Sequence, residues 1–368
     1  MPRESRGSAS TAGFRSSSDS LEKTQKLTTR TKDILSCNQK MVKEEFPSSD
    51  MSLMPLIPTA SGSLTPTDLR IMHHYATFTW NTLDVGQPGM NSVLKVVIPG
   101  LAFEHDYLLH AILGVGSLHM QRMLPDPTQA RRQTDLYRAR AFKEFRQALS
   151  QMDASRAETW EAALLMAIMS VVLCSQDHGD DDEQLTVVNW CILYQGLIAV
   201  IKMREDPIVS ATRVGPVFQR EITGLQCTPQ IPTTLLNMMA SVEVLDPDFK
   251  DLQLYCKTLD ELAILFASLR QDGLSAALFI RVVSWPSHLD LEFTAVAKAK
   301  RPRALIILAF YLALLKLVRG LWWVEGIPDR EIDAINRIVG PKWAYYMEVP
   351  LQVRSMTSIQ EIASLLLR

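Results

Sequence analysis

The chain has 368 residues, of which 47% are hydrophobic, and a net charge of −2. That length allows one large domain or two ordinary ones with a sizeable core. The charge balance gives the whole chain no electrostatic reason to seek nucleic acid or an anionic membrane. Five scattered cysteines (Cys37, Cys174, Cys191, Cys227 and Cys256), odd in number and without C-x-x-C spacing, argue against a disulfide framework and for reduced thiols in cytosol or nucleus.

Residues 1–64 are rich in Ser, Thr, Lys and Arg and lack a periodic apolar pattern, so a disordered tail is expected, with Pro47, Pro55, Pro58 and Gly62 marking a linker. No apolar h-region of a signal peptide is expected there. Order is expected over 65–368. Thr65 is a good N-cap, Pro66 suits the first helical position and Asp68 the positive dipole end, for a helix running on through Leu69 to Leu83. A short apolar stretch, Val93 to Pro99, leads into an almost wholly apolar helix from Glu104 to Met123. Pro125 and Pro127 separate it from an amphipathic helix, Thr128 to Met152. Ser155 and Glu158 have capping-box spacing for a helix to Ser175.

Asp177 to Glu183 reads as an acidic loop and Gln184 to Arg204 as a further buried helix. Residues 205–232, with four prolines, should be largely irregular. Asp246-Pro247 is expected to open a long helix to about Gln271, followed by a shorter one from Gly273 to Val283. Arg301 to Arg319 is a core helix ending at Gly320, then Pro328 to Val339, stopped by Gly340-Pro341, and finally Ser358 to Leu367. The apolar runs Ala162–Ser175 and Ala304–Leu315 fall short of the roughly 18–20 residues that a bilayer core requires, so they read as core helices and not membrane spans. No segment alternates as a strand and no internal repeat is visible. The expected fold class is all-α, one large helical domain over 65–368 behind the tail.

Three stretches have a further meaning. The first runs from Ile98-Pro99-Gly100-Leu101 through Leu108-Leu109-His110-Ala111 to Ser117-Leu118-His119. The second is His74 with Phe78 and Thr79-Trp80. The third is Arg301 to Ile335, with Leu321-Trp322-Trp323 inside it and Trp343, Met347 and Pro350 beyond it. In this order they resemble the C-terminal regulatory domain of fungal zinc-cluster transcription factors, in particular the sterol uptake control proteins. The resemblance implies an all-α regulatory domain, transcriptional control in the nucleus, an apolar ligand such as a sterol, and association as a homodimer or with another transcription factor. The family's zinc binuclear cluster needs six cysteine ligands, whereas residues 1–64 hold Cys37 alone. A zinc-cluster DNA reader, and with it direct nucleic-acid contact, is therefore not expected of this stretch.

A ligand pocket is placed on the apolar helices, with Leu108, Ile112, Met166, Met169, Leu312, Leu315 and Trp322 as candidate lining residues; ordinary core is the alternative role of each. Other constellations fail on spacing. Gly179 interrupts the acidic loop and no second metal motif follows it. His73, His74, His105, His110 and His119 lack the H-x-x-x-H spacing of a zinc helix. Gly114-Val115-Gly116 lies inside a helix with no strand before it, which suits close packing and not a phosphate. No catalytic triad, cofactor motif or metal site is expected, and the chain reads as a regulator and not an enzyme. Two alternatives stand beside ligand sensing. One is an interaction module that modulates a complete transcription factor of a biosynthetic gene cluster. The remote one is an all-α enzyme of isoprenoid diphosphates using Asp180 to Asp182.

Overall fold

A computed structural model describes residues 64–84, 89–153, 155–175, 184–204, 212–218, 225–226, 228 and 230–368. The expected tail and linker, the zinc-cluster question and the acidic loop fall outside these residues. The described residues form helices and turns and contain no strand, which bears out the all-α reading.

Helix α1 (Pro66–His74) begins on a reciprocal capping box. Asp68 N donates to Thr65 Oγ1 at 3.1 Å, and Thr65 N donates to Asp68 Oδ2 at 2.8 Å. The buried Asp68 also accepts the hydroxyl of Tyr137, which ties the cap to a neighbouring helix. A π-turn (Tyr75–Thr79) and a 3₁₀ turn (Trp80–Thr82) carry the chain on to Leu83. The stretch expected merely to lead into the next helix is itself helical. Met90–Ser92 and a π-turn, Val93–Val97, run without a break into α2 (Ile98–Ala102), with Pro99 just past the junction of the π-turn and the α-turn.

Helix α3 (Asp106–Met123) buries every residue from Tyr107 to His119. It packs on α4 (Thr128–Gln151) and α5 (Ala157–Leu173). Its glycines permit that approach: a Cβ on Gly114 would lie 2.8 Å from Leu173 Cδ2, and one on Gly116 would lie 3.0 Å from Ile71 Cγ2. Close packing is thus the role of the Gly114–Gly116 pair. The capping box expected at Ser155 does not form. Arg156 is the N-cap of α5, and the Ser155 hydroxyl and N–H both turn back to Asp153 Oδ1, at 2.6 and 3.0 Å. A competing Asx-type turn took the side chain.

Helix α6 (Thr186–Ile201) lies against α5. After the short α7 (Gly215–Phe218) come α8 (Thr233–Ala240), α9 (Leu252–Asp272), α10 (Ala276–Ser284) and α11 (Leu291–Lys298). Helix α9 starts later than the Asp246-Pro247 signal suggested, because Asp246 and Asp248 serve as anion partners. Arg303 reaches Asp246 at 2.8 Å and Asp248 at 2.6 Å; Arg301 also binds Asp248, and Tyr255 donates to it at 2.9 Å.

That clamp holds the first turn of α12 (Pro302–Leu315), in which every residue from Arg303 to Leu315 is buried. The helix ends at Leu315, before the expected Arg319, as the chain tightens into turns in which Leu317 N and Val318 N donate to Leu314 O and Leu315 O; Lys316 Nζ donates to Asp329 at 2.6 Å and to the carbonyls of Val353 and Arg354. Helices α13 (Ile327–Val339), α14 (Ala344–Ser355) and α15 (Ile359–Leu366) complete the chain. One continuous core cluster reaches from Ile71 to Leu366.

Candidate ligand cavity

Helices α5 and α6 each present an i, i+3, i+4, i+7 stripe to the same space: Leu165, Ile168, Met169 and Val172 on α5, and Tyr194, Leu197, Ile198 and Ile201 on α6. Between them lies a partly enclosed cavity of about 190 Å³. Leu83, Met90, Leu94 and Ile98 close it from the N-terminal side, Ile280, Val283, Ser284 and Ser287 from α10 and the turn after it, and Trp323 from the C-terminal corner. Ile198, Ile201, Ile280 and Val283 are half-buried, whereas Leu94, Ile98, Leu165 and Met169 are buried, so the open side lies between α6 and α10.

Among the described residues the lining contains no charged side chain. Its few polar groups are mostly engaged: Tyr194 donates its hydroxyl to Val283 O at 2.7 Å and Ser287 to Ser284 O at 2.6 Å. Trp323 differs. It is 6% exposed, and its Nε1–H meets no acceptor among the described residues. A buried donor left without an acceptor costs about 1–3 kcal/mol. Its ring stands edge-on to Trp190, centroids 5.7 Å apart.

The adjacent Trp322 faces another group. It stacks on His119 with centroids 5.0 Å apart, and its Nε1 donates to Thr82 Oγ1 at 2.9 Å. His119 Nδ1 lies 3.0 Å from Thr79 Oγ1 and 3.3 Å from His74 Nε2, and the tautomers of the two rings set which group donates. Burial pushes the His119 pKa down to about 4, assisted by His74 and Arg122. The two tryptophans therefore join the cavity wall to the His74–His119 pair.

Of the residues proposed from sequence, Met169 lines the cavity. Leu108, Ile112, Met166, Leu312 and Leu315 are fully buried in the core cluster outside the lining, and Trp322 lies on His119. Sequence reasoning missed Trp323, the α6 stripe and the α10 wall. The i, i+3, i+4, i+7 stripe of α6 was the available signal. Among the described residues no group of three His, Cys, Asp or Glu is placed to hold a metal ion, and no helix is long and apolar enough to cross a membrane.

Comparison with known proteins agrees with the resemblance read from the sequence. Residues 70–245, just under half of the chain, match the family described as "Fungal specific transcription factor domain". A Zn(2)-C6 fungal-type transcription factor of Gibberella zeae is 26% identical over 78% of this chain and 61% of its own length. Sterol uptake control protein 2 of Candida albicans is 24% identical over 74% of this chain and 40% of its own. The Saccharomyces cerevisiae protein of that name is 22% identical over 73% and 30%. The match thus spans from under a third to about three fifths of the length of these relatives.

Proposed function

We propose that this chain is a transcription regulator acting in the nucleus, whose helical domain senses a neutral apolar metabolite in the cavity between α5, α6 and α10. The observation that carries the reading is a partly enclosed cavity, without charge among its described lining residues, in a chain that resembles fungal transcription regulators along most of its length. The names of two relatives suggest a sterol as the class of metabolite. A ligand can move such a domain only through different affinities for two conformers. Trp323 on the cavity wall, joined by one peptide bond to Trp322 on His119, is a short route from occupancy to the packing of α1 and α3. No residue has a catalytic role in this account.

The test is a reporter assay with the full chain fused to a heterologous DNA-binding domain, with and without Val172→Trp to fill the cavity. The expected result is output that changes with the sterol supply of the host in the unsubstituted fusion and stays constant in the variant. A fusion without transcriptional effect in either form contradicts the regulator reading. A response unaffected by Val172→Trp contradicts the cavity.

A second reading, a module that binds another transcription factor or a second copy, is favoured by surface. Leu245 is 94% exposed and Val244 74%, with Leu236, Phe249 and Tyr345 also exposed. Helix α8, which bears Leu236, touches α14, which bears Tyr345, while Arg303 joins Asp246 to the Trp343 ring. Exposed apolar side chains on neighbouring elements are a mark of interaction sites. Light scattering checks it: Leu245→Asp converts a dimer into a monomer if the patch is the interface, and a wild-type monomer that captures no transcription factor ends this reading.

A further inference from the structure

Helix α4 buries Ala130, Thr134, Tyr137, Ala141 and Phe145 on one face. Its opposite face carries Arg132, Leu136, Ala139, Lys143 and Arg146 at i, i+4, i+7, i+11 and i+14, with Arg140 beside them. At about 1.5 Å per residue this is one straight row about 21 Å long. Arg132, Leu136 and Lys143 are exposed; Ala139, Arg140 and Arg146 are half-buried. Six basic residues against two acidic ones give the helix a net charge of +4; the whole chain has −2, so the remainder carries −6. Both acids of the helix are already engaged, Asp135 with Arg138 at 3.3 Å and Glu144 with the His110 ring at 2.7 Å. Arg132, Arg140, Lys143 and Arg146 have no ion-pair partner among the described residues. Burial holds the Arg146 guanidinium below its usual pKa, as befits a cation partly stripped of water with no carboxylate in return.

We propose that the outer face of α4 is a docking surface for an acidic amphipathic segment of another protein, whose carboxylates meet Arg132, Arg140, Lys143 and Arg146 and whose apolar side chains cover Leu136 and Ala139. Arginine suits this use, because its guanidinium fork matches a carboxylate through two hydrogen bonds. Two other anionic partners fit less well. A duplex phosphate backbone brings nothing to cover Leu136, 36% exposed in the middle of the row, and the −6 carried outside α4 repels a long polyanion. An anionic membrane takes up a basic helix by its apolar face, and that face of α4 is in the core. A short acidic segment answers both the charge and the leucine. Within a Debye length of about 8 Å it meets the local row and not the distant negative charge. Alternating acidic and apolar residues are typical of disordered activation segments, which a transcription regulator would meet. The inference does not depend on the cavity.

Fluorescence anisotropy on the full chain tests this with labelled probes. The first is a peptide of Glu, Asp and Leu in helical spacing, about 18 residues long so that it spans the row. The others are the same composition scrambled so that no face is apolar, poly-glutamate of equal length, and a DNA duplex of about 20 base pairs. The amphipathic peptide is expected to bind tightest, with the scrambled peptide and poly-glutamate weaker by about ten-fold and the duplex weakest. Lys143→Glu with Arg146→Glu should weaken the amphipathic peptide by about ten-fold or more. Lys250→Glu with Lys342→Glu makes the same change of net charge at exposed residues elsewhere and should leave binding nearly unchanged. Arg132→Glu, at the other end of the row, repeats the loss should the first double variant fold poorly. A duplex that binds tighter than the peptide, and is released by the same reversal, overturns the acidic segment in favour of nucleic acid. Poly-glutamate as tight as the amphipathic peptide overturns the role of Leu136. Equal losses from both double variants, or no binding of any probe, overturn the docking surface itself.

Discussion

The Trp322 indole lies on the His119 imidazole with centroids 5.0 Å apart and 25° between the ring planes, at the point where the C-terminal corner meets the two N-terminal helices. His119 is 4% exposed, and His74 and Thr79 both reach its Nδ1. A neutral ring suits this position because a charged one would be desolvated beside His74 and Arg122.

Stability should therefore depend on pH through His119. Its folded pKa is about 4 against an ordinary value of 6.5. Between those values the unfolded chain binds more protons, so stability is present above about 6.5 and falls as pH drops toward 4. His119→Gln removes this contribution. In urea unfolding at pH 7, 5.5 and 4.5, the gap between wild type and variant should shrink as pH falls. A constant gap would show that no proton is linked to folding at this site.

The anion clamp under α12 should be costly to open. Asp248 is 4% exposed and accepts from Arg301, Arg303 and Tyr255. Asp248→Ala leaves Arg303, itself 5% exposed, without its closest carboxylate. Breaking a buried pair costs about 3–5 kcal/mol, and the outer position of Arg301 argues for a smaller loss in Arg301→Ala. Chemical denaturation measures both; equal and small losses would mean that the clamp adds little.

Gly114 should be sensitive to added volume, because the side-chain end that a Cβ would meet is buried in the core. A Cβ there would sit 2.8 Å from Leu173 Cδ2, so Gly114→Ala is expected to destabilise by about 1–3 kcal/mol despite the better helix propensity of alanine. Leu173→Ala removes the opposing atom. The double variant should therefore lose less than the sum of the single ones, and strict additivity would place the strain elsewhere.

Much of the frame was legible from residues because each signal was local. Thr65, Pro66 and Asp68 marked a helix start that forms as a capping box, and the apolar run at Ala304–Leu315 marked the central helix. Helices α8, α11 and α14 gave no comparable signal, and α14 has Pro350 in its interior. Ser155 showed a cap that a nearby Asp captured. The cavity was harder to read. Met166 and Met169 are three residues apart in one apolar helix, yet Met166 is fully buried in the core and Met169 faces the cavity. Only the packing of α6 and α10 distinguishes them, and that is a long-range property. Likewise, nothing in the Trp322-Trp323 dipeptide tells which ring meets His119 and which meets the cavity.

Met166 and Met169 should accordingly differ in effect. Met166→Ala leaves a hole in the core and is expected to cost about 2–5 kcal/mol with little change in ligand affinity. Met169→Trp fills cavity volume and is expected to weaken ligand binding with a smaller loss of stability. Paired denaturation and calorimetry on the two variants reads the contrast, and the reverse pattern would move the cavity to the Met166 side of α5.

The central claim is that the cavity holds a neutral ligand in the cell. Native mass spectrometry of the full chain purified from a fungal host, side by side with Ile198→Trp, tests it most directly. The account predicts a reproducible adduct of a small neutral molecule on the wild type that is lost from the variant. An identical adduct on both proteins, or no adduct on either, would contradict it.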